Sequence, residues 1–142
     1  MQLKPTVLSG LIALSLFFTG CQEKKALPFL GPKDTQIVNG KVDTLYHQIP
    51  AFRFLNQDSV WVTEKDMSGK IYIADFFFTS CPTICPKMKT QLLRIYERYA
   101  TNDGIRILSH SIDPSFDTPS VLRQYASRLH VKAPRWNMLT GD

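Results

Sequence analysis

The run KIYIADFFFTSCPTICPKM, residues 70–88, sets an almost unbroken apolar, β-prone segment directly against two cysteines separated by three residues, each followed by proline. A segment of that composition is the pattern of a strand covered on both faces, which predicts a central strand of a parallel sheet. The residues after the cysteines change period. Met88, Leu92, Ile95, Tyr96 and Tyr99 recur at helical spacing, and TNDG after Ala100 supplies a stop. Pro86 has no backbone N–H to give to a helix interior, so the helix is expected to open with Pro86 as its first residue, Cys85 as its cap and Cys81 on the loop outside. Both sulfurs then lie near the positive end of a helix dipole, which favours thiolate over thiol.

The same alternation continues downstream. IRILSHSI, residues 105–112, is a second strand; DPSFDTPSVLRQYASRL follows, with Thr118 as N-cap, Pro119 at the first helical position, and Val121, Leu122, Tyr125, Ala126 and Leu129 as one apolar stripe. WNML is a third strand, and TGD is expected to turn into another helix. Strand, helix, strand, helix, strand is a pair of right-handed crossovers onto a parallel sheet. The class is α/β, and the thiol pair at the first strand-to-helix junction favours a thioredoxin-like architecture. That fold normally adds an antiparallel hairpin and a closing helix, so further sequence after Asp142 is expected. Upstream, TQIVNGKVDTLYHQIPAFRFLNQDSVWVT alternates around Asn39-Gly40 and again around Asn56-Gln57-Asp58-Ser59, which predicts an N-terminal extension of β-hairpins. With 142 residues and 44% apolar content, one packed domain is expected.

The front of the chain has a different character. Lys4 precedes the short apolar run VLSGLIALSLFF, and FFTGC places Gly20 immediately before Cys21. This is the layout of an export signal whose small residue and cysteine resemble the bacterial lipobox, with cleavage before a lipidated Cys21. An ordinary signal peptide, or an anchor helix with an incidental cysteine, is the alternative. The expected organisation is a signal peptide over 1–20, a lipidated N-terminus and tether over 21–36, and a domain over 37–142. The net charge of +5 is dispersed, with none of the clustered basic and aromatic residues that nucleic-acid binding requires, so no nucleic-acid partner is expected.

Of three cysteines, Cys21 is assigned to the lipobox, which leaves one exported pair. At this spacing a stapling disulfide, a redox couple and a metal site are all compatible. Two soft thiolates suit copper(I), whereas zinc asks for four ligands and the chain offers no second close Cys or His pair. Exchange with a partner's disulfide would use the same two sulfurs. Around them, Asp75 inside the apolar strand needs a partner, either a Lys or Arg or the cysteine loop above it. Asp113 and Asp117 fall on the loop after the second strand, at the sheet edge where ligand sites gather; each also has a local reading, Asp113 initiating a turn and Asp117 capping the next helix. His110 lies near the end of the strand neighbouring the one that feeds Cys81, within approach of the site, although a strand histidine is more often packed. His47 and His130 have no geometric argument, and Phe76, Phe77 and Phe78 are expected in the core.

DFFFTSCPTICPKM, followed after one helix by SIDPSFDTP, resembles the Sco/SenC proteins, thioredoxin-like copper chaperones for assembly of cytochrome c oxidase. The resemblance runs from about Ile49 to Asp142, and WNMLTGD also matches. It implies copper held by Cys81 and Cys85, delivery to the dinuclear centre in the copper-bearing subunit of the oxidase, and a thiol-redox step. It places the protein in the bacterial cell envelope, lipid-anchored to a membrane. Family members complete the site with a histidine on a loop farther downstream than Asp142, so a complete copper(II) site is not expected within these residues. A thiol–disulfide oxidoreductase is the alternative function, and a peroxide-reducing relative on the same scaffold a third.

Overall fold

The computed structural model describes residues 27–141 and divides the chain into two compact units at Gln48 and Ile49. In the first, β1 (Lys33–Val38) and β2 (Lys41–Tyr46) form an antiparallel hairpin with Val38 opposite Lys41. Its turn residues, Asn39 and Gly40, both sit at positive φ, 52° and 74°. That geometry matches the twist of paired strands, and asparagine and glycine adopt it at least cost. β1 begins at Lys33, inside the stretch 21–36 assigned to a tether on composition. The Phe29 and Tyr46 rings lie 4.2 Å apart, and the Lys33 ammonium sits 5.6 Å from the Tyr46 ring, so local contacts favour the strand. Residues 1–26, with the expected signal and Cys21, lie outside the described residues.

The second unit is built on one five-stranded sheet. Its strands are β3 (Arg53–Asn56), β4 (Trp61–Thr63), β5 (Ile71–Phe77), β6 (Ile105–Ser111) and β7 (Trp136–Thr140), ordered β4-β3-β7-β6-β5. β5, β6 and β7 run parallel, while β3 pairs antiparallel with both β4 and β7. The second hairpin foreseen from the sequence therefore belongs to the main sheet. Asn56 closes its turn by accepting from the N–H groups of Asp58 and Val60 at 2.9 and 3.0 Å. Beyond the last β3 pair, buried Gln57 continues the ladder with its side chain, donating to the Trp136 carbonyl and accepting from Met138 N–H, both at 2.9 Å. A buried amide placed this way leaves no β7 backbone group orphaned where its partner strand has ended.

Two helices make the parallel crossovers, α1 (Ile84–Arg98) and α2 (Pro119–Arg128). Leu92 of α1 and Leu122 and Ala126 of α2 share one core cluster with Phe77, Ile107, Trp136 and Met138. Both helices thus cover the same face of the sheet. The other face carries a smaller cluster of Val62, Met67, Leu108 and Leu139, flanked by Phe52, Phe54 and Tyr72.

Two expectations change. Among the described residues β5 lies at the edge of the sheet rather than in its centre, and of the three phenylalanines only Phe77 is fully buried; Phe76, on the face away from α1 and α2, is 66% exposed. An apolar run specifies strand formation, but the order of strands is set by which crossover comes next, and here both carry the chain away from β5. Second, α1 starts at Ile84, which places Pro86 at the third helical position. The first four N–H groups of a helix have no intrahelical acceptor, so proline sacrifices nothing there. α2 begins at Pro119 after Thr118, as the proline predicts.

Candidate metal centre

β5 ends at Phe77 and the chain folds over itself, Cys81 N–H donating to the Phe78 carbonyl at 3.2 Å. Cys81 sits on the loop and Cys85 in the first turn of α1, both buried and both free thiols. Thr83, the residue before the helix, caps nothing with its side chain. The Cys81 sulfur instead lies at the start of the helix, close to the Cys85 thiol and to the backbone N–H groups of Thr83, Cys85 and Ile84. Those contacts, the thiol first, bring the Cys81 thiol down from its ordinary 9.0 to about 7. Cys85 moves the other way, pushed up by burial and then by giving its hydrogen to Cys81. The result is an asymmetric pair, one sulfur held as an incipient thiolate and the other as its donor.

Two buried carboxylates brace this junction. Asp117, fully buried, accepts from the Thr79 N–H at 3.1 Å, from the Thr79 hydroxyl at 2.5 Å and from the Ser111 hydroxyl at 2.6 Å. The expected capping of α2 is not its role. It clasps the loop that carries Cys81 to the end of β6, because its side chain points back toward β5 and Thr118 occupies the cap position. Asp113 does initiate a turn, its carbonyl accepting from Phe116 and Asp117 N–H at 3.2 and 2.9 Å. Asp75 has its partner in Lys89 of α1, at 2.8 Å, and both are buried. Lys89 also donates to Ser109 at 2.8 Å; the Ser109 hydroxyl donates to Asp75 and accepts from the Trp136 indole N–H at 2.9 Å.

His110 faces away from the cysteines. Along β6, Ile107 and Ser109 point toward the helices, so Leu108 and His110 point to the opposite face. There the imidazole meets the Phe54 ring edge-on at 5.1 Å and the Phe76 ring at 5.7 Å. Burial pushes its pKa below the usual 6.5. The approach to the thiol pair allowed by the sequence is therefore not made. His130 lies just past the end of α2 at a positive φ of 55°, and His47 belongs to the hairpin unit. Among the described residues no group of three or more His, Cys, Asp or Glu side chains converges to hold a metal ion. The donor set at the junction is two sulfurs.

Thr79, Lys89, Ser109 and Ser111 were not singled out by the sequence. The alternation of β6 does put Ser109 in register with Ile107, but nothing in the spacing of a lysine marks it as buried. Three apolar side chains are exposed on the neighbouring segments, Ile84 at the start of α1 and Ile112 and Phe116 on the loop after β6.

Residues 42–142 match the SCO1/SenC family. The SCO1 protein homolog of Bacillus subtilis is 36% identical over 100 residues, covering 70% of this chain and 52% of that protein. Among solved structures, BsSco, a member of the Sco family of cytochrome c oxidase assembly proteins with a disulfide switch, superposes with a TM-score of 0.61 at 35% identity, over 69% of this chain and 58% of that one. Copper-bound ScoI of Arabidopsis thaliana gives a TM-score of 0.55 at 32% identity, over 66% and 57% of the two chains. The chain spans about half the length of the Bacillus relative, and over that span the α/β, thioredoxin-like expectation holds. By the extent of the match, the chain belongs to the SCO1/SenC family.

Proposed function

We propose that the chain is a copper metallochaperone that takes copper(I) as cargo between Cys81 and Cys85 and supports assembly of the dinuclear copper centre of cytochrome c oxidase. The observation that carries this reading is the buried pair of free thiols at the start of α1, Cys81 on the loop and Cys85 in the first helical turn. Two thiolates satisfy copper(I), which is stable with few soft ligands. Copper-bound relatives of the same fold support the choice of metal. Anaerobic competition titration of copper(I) into the reduced chain carrying Cys21→Ser, so that only one thiol pair remains, is expected to give one tightly held ion. Cys81→Ala and Cys85→Ala should each abolish tight binding, and undiminished binding in both would reject the assignment.

The membrane belongs to the same proposal: a signal over 1–20 is removed, and lipidation at Cys21 with a tether that runs to the start of β1 at Lys33 holds the domain at a membrane of the bacterial envelope. Intact mass of cell-derived protein tests it, since lipidation adds the mass of the acyl chains and Cys21→Ser removes it.

A second reading is favoured by the asymmetry of the thiols. A depressed, loop-borne Cys81 and a raised, buried Cys85 form a nucleophile and a resolving thiol, the arrangement of a thiol–disulfide oxidoreductase. Cys85→Ala should then accumulate mixed disulfides through Cys81, while Cys81→Ala accumulates none.

A further inference from the structure

The Lys89 side chain is difficult to account for by stability. It is 2% exposed and occupies the inward stripe of α1 between Cys85 and Leu92, where an apolar residue would be the default. Its ammonium donates to Asp75 and to Ser109, each at 2.8 Å, and lies 4.0 Å from the centre of the Phe77 ring and 5.4 Å from that of Trp136. Every direction available to the ammonium is filled. Burying such a pair costs both ions their hydration, and an apolar pair of the same volume usually serves stability as well or better.

Its position suggests what the charge is for. Cys85 and Lys89 are one helical turn apart and share a face, and helical side chains lean toward the N-terminus, which carries the lysine stem toward the thiol pair. Among the described residues Lys89 is the one buried lysine; the other buried cation, Arg106, lies near the opposite end of β6, and buried Asp117 adds negative charge on the cysteine side. Loading copper(I) makes that side more negative still. One Cu⁺ and two thiols give a bis-thiolate copper complex of charge −1 and release two protons to solvent. A buried anion of this kind needs a fixed counter-charge.

We propose that the buried Lys89 ammonium, held in place by Asp75 and Ser109, is the counter-charge that stabilises the Cys81/Cys85 pair in its copper(I)-loaded, anionic state. Lys89 is a positioning residue acting through the sulfurs, and the inference rests on the copper reading of the pair. Two substitutions break the same ion pair and separate this role from a structural one. Lys89→Met removes the positive charge, and copper(I) affinity is expected to fall roughly tenfold, the scale of one partly screened charge about a helical turn away. Asp75→Asn leaves the ammonium without its compensating anion, so affinity should stay unchanged or rise. A purely structural ion pair predicts weakening in both.

The measurement is anaerobic copper(I) competition on the full chain carrying Cys21→Ser, with thermal unfolding recorded beside it. The double variant Asp75→Asn/Lys89→Met strands no buried charge and guards against misfolding; it should keep part of the loss. If the parent chain binds no copper(I), the copper reading falls, and the lysine is then tested by equilibrium with glutathione. There the disulfide and two glutathione thiols give one thiolate, one thiol, oxidised glutathione and a proton, and Lys89→Met should shift the equilibrium roughly tenfold toward the protein disulfide, about 30 mV. Parent and Lys89→Met chains equal in both assays, or Asp75→Asn as weak as Lys89→Met, overturn the proposal.

Discussion

At the scale of single residues, the chemistry of the junction comes from unequal treatment of two identical side chains. Cys81 receives helix amides and a thiol hydrogen; Cys85 is buried and gives its hydrogen away. Alkylation of Cys81 by iodoacetamide is therefore expected to rise through about pH 7, two units below an ordinary thiol here, and Cys85→Ala should move that midpoint upward because the leading hydrogen bond is lost. A midpoint unchanged by the substitution would contradict the stated cause. Asp117 is the second residue on which the site depends. Asp117→Ala leaves the Thr79 N–H and the Ser111 hydroxyl without their acceptor, and should cost about 2–4 kcal/mol in denaturant unfolding. Asp117→Asn retains an acceptor oxygen and should cost less.

At the scale of elements, the two faces of the sheet behave differently. The helix-covered face relies on close packing: Leu122 of α2 is fully buried among Phe77, Trp136 and Met138, so Leu122→Ala should destabilise by about 2–5 kcal/mol. The other face carries a titrating group. His110 has a folded pKa below its ordinary 6.5, so below that pH the unfolded chain binds the proton first and stability falls as pH drops. The urea midpoint should decline from about pH 7.5 to about pH 5.5, and His110→Phe should flatten that part of the decline. Periodicity in the sequence was enough to place β5, β6, β7 and both helices, because each runs for several residues with one dominant period. It did not find the sheet order or the buried lysine. Strand position depends on the crossovers that follow, and Lys89 looks like any solvent-facing helix lysine until Asp75, fourteen positions earlier, is brought beneath it.

At the scale of the whole molecule, the candidate site is a junction where one strand, one helix and the loop after β6 meet. Its two sulfurs were legible in the sequence, since cysteines between an apolar strand and an amphipathic helix must fall at their junction, although the helix begins two residues earlier than the proline suggested. Its braces were not, because Asp117–Thr79 and Lys89–Asp75 are contacts between elements. Among the described residues the site offers two sulfurs, with a buried cation one helical turn farther along α1, which suits holding a soft monovalent ion. The direct test is the copper K-edge absorption fine structure of the reduced chain, carrying Cys21→Ser and loaded anaerobically with one equivalent of copper(I). The account expects a first shell of sulfur alone with a coordination number of about two. A shell of nitrogen or oxygen, or a sulfur shell that persists unchanged in Cys85→Ala, would contradict it.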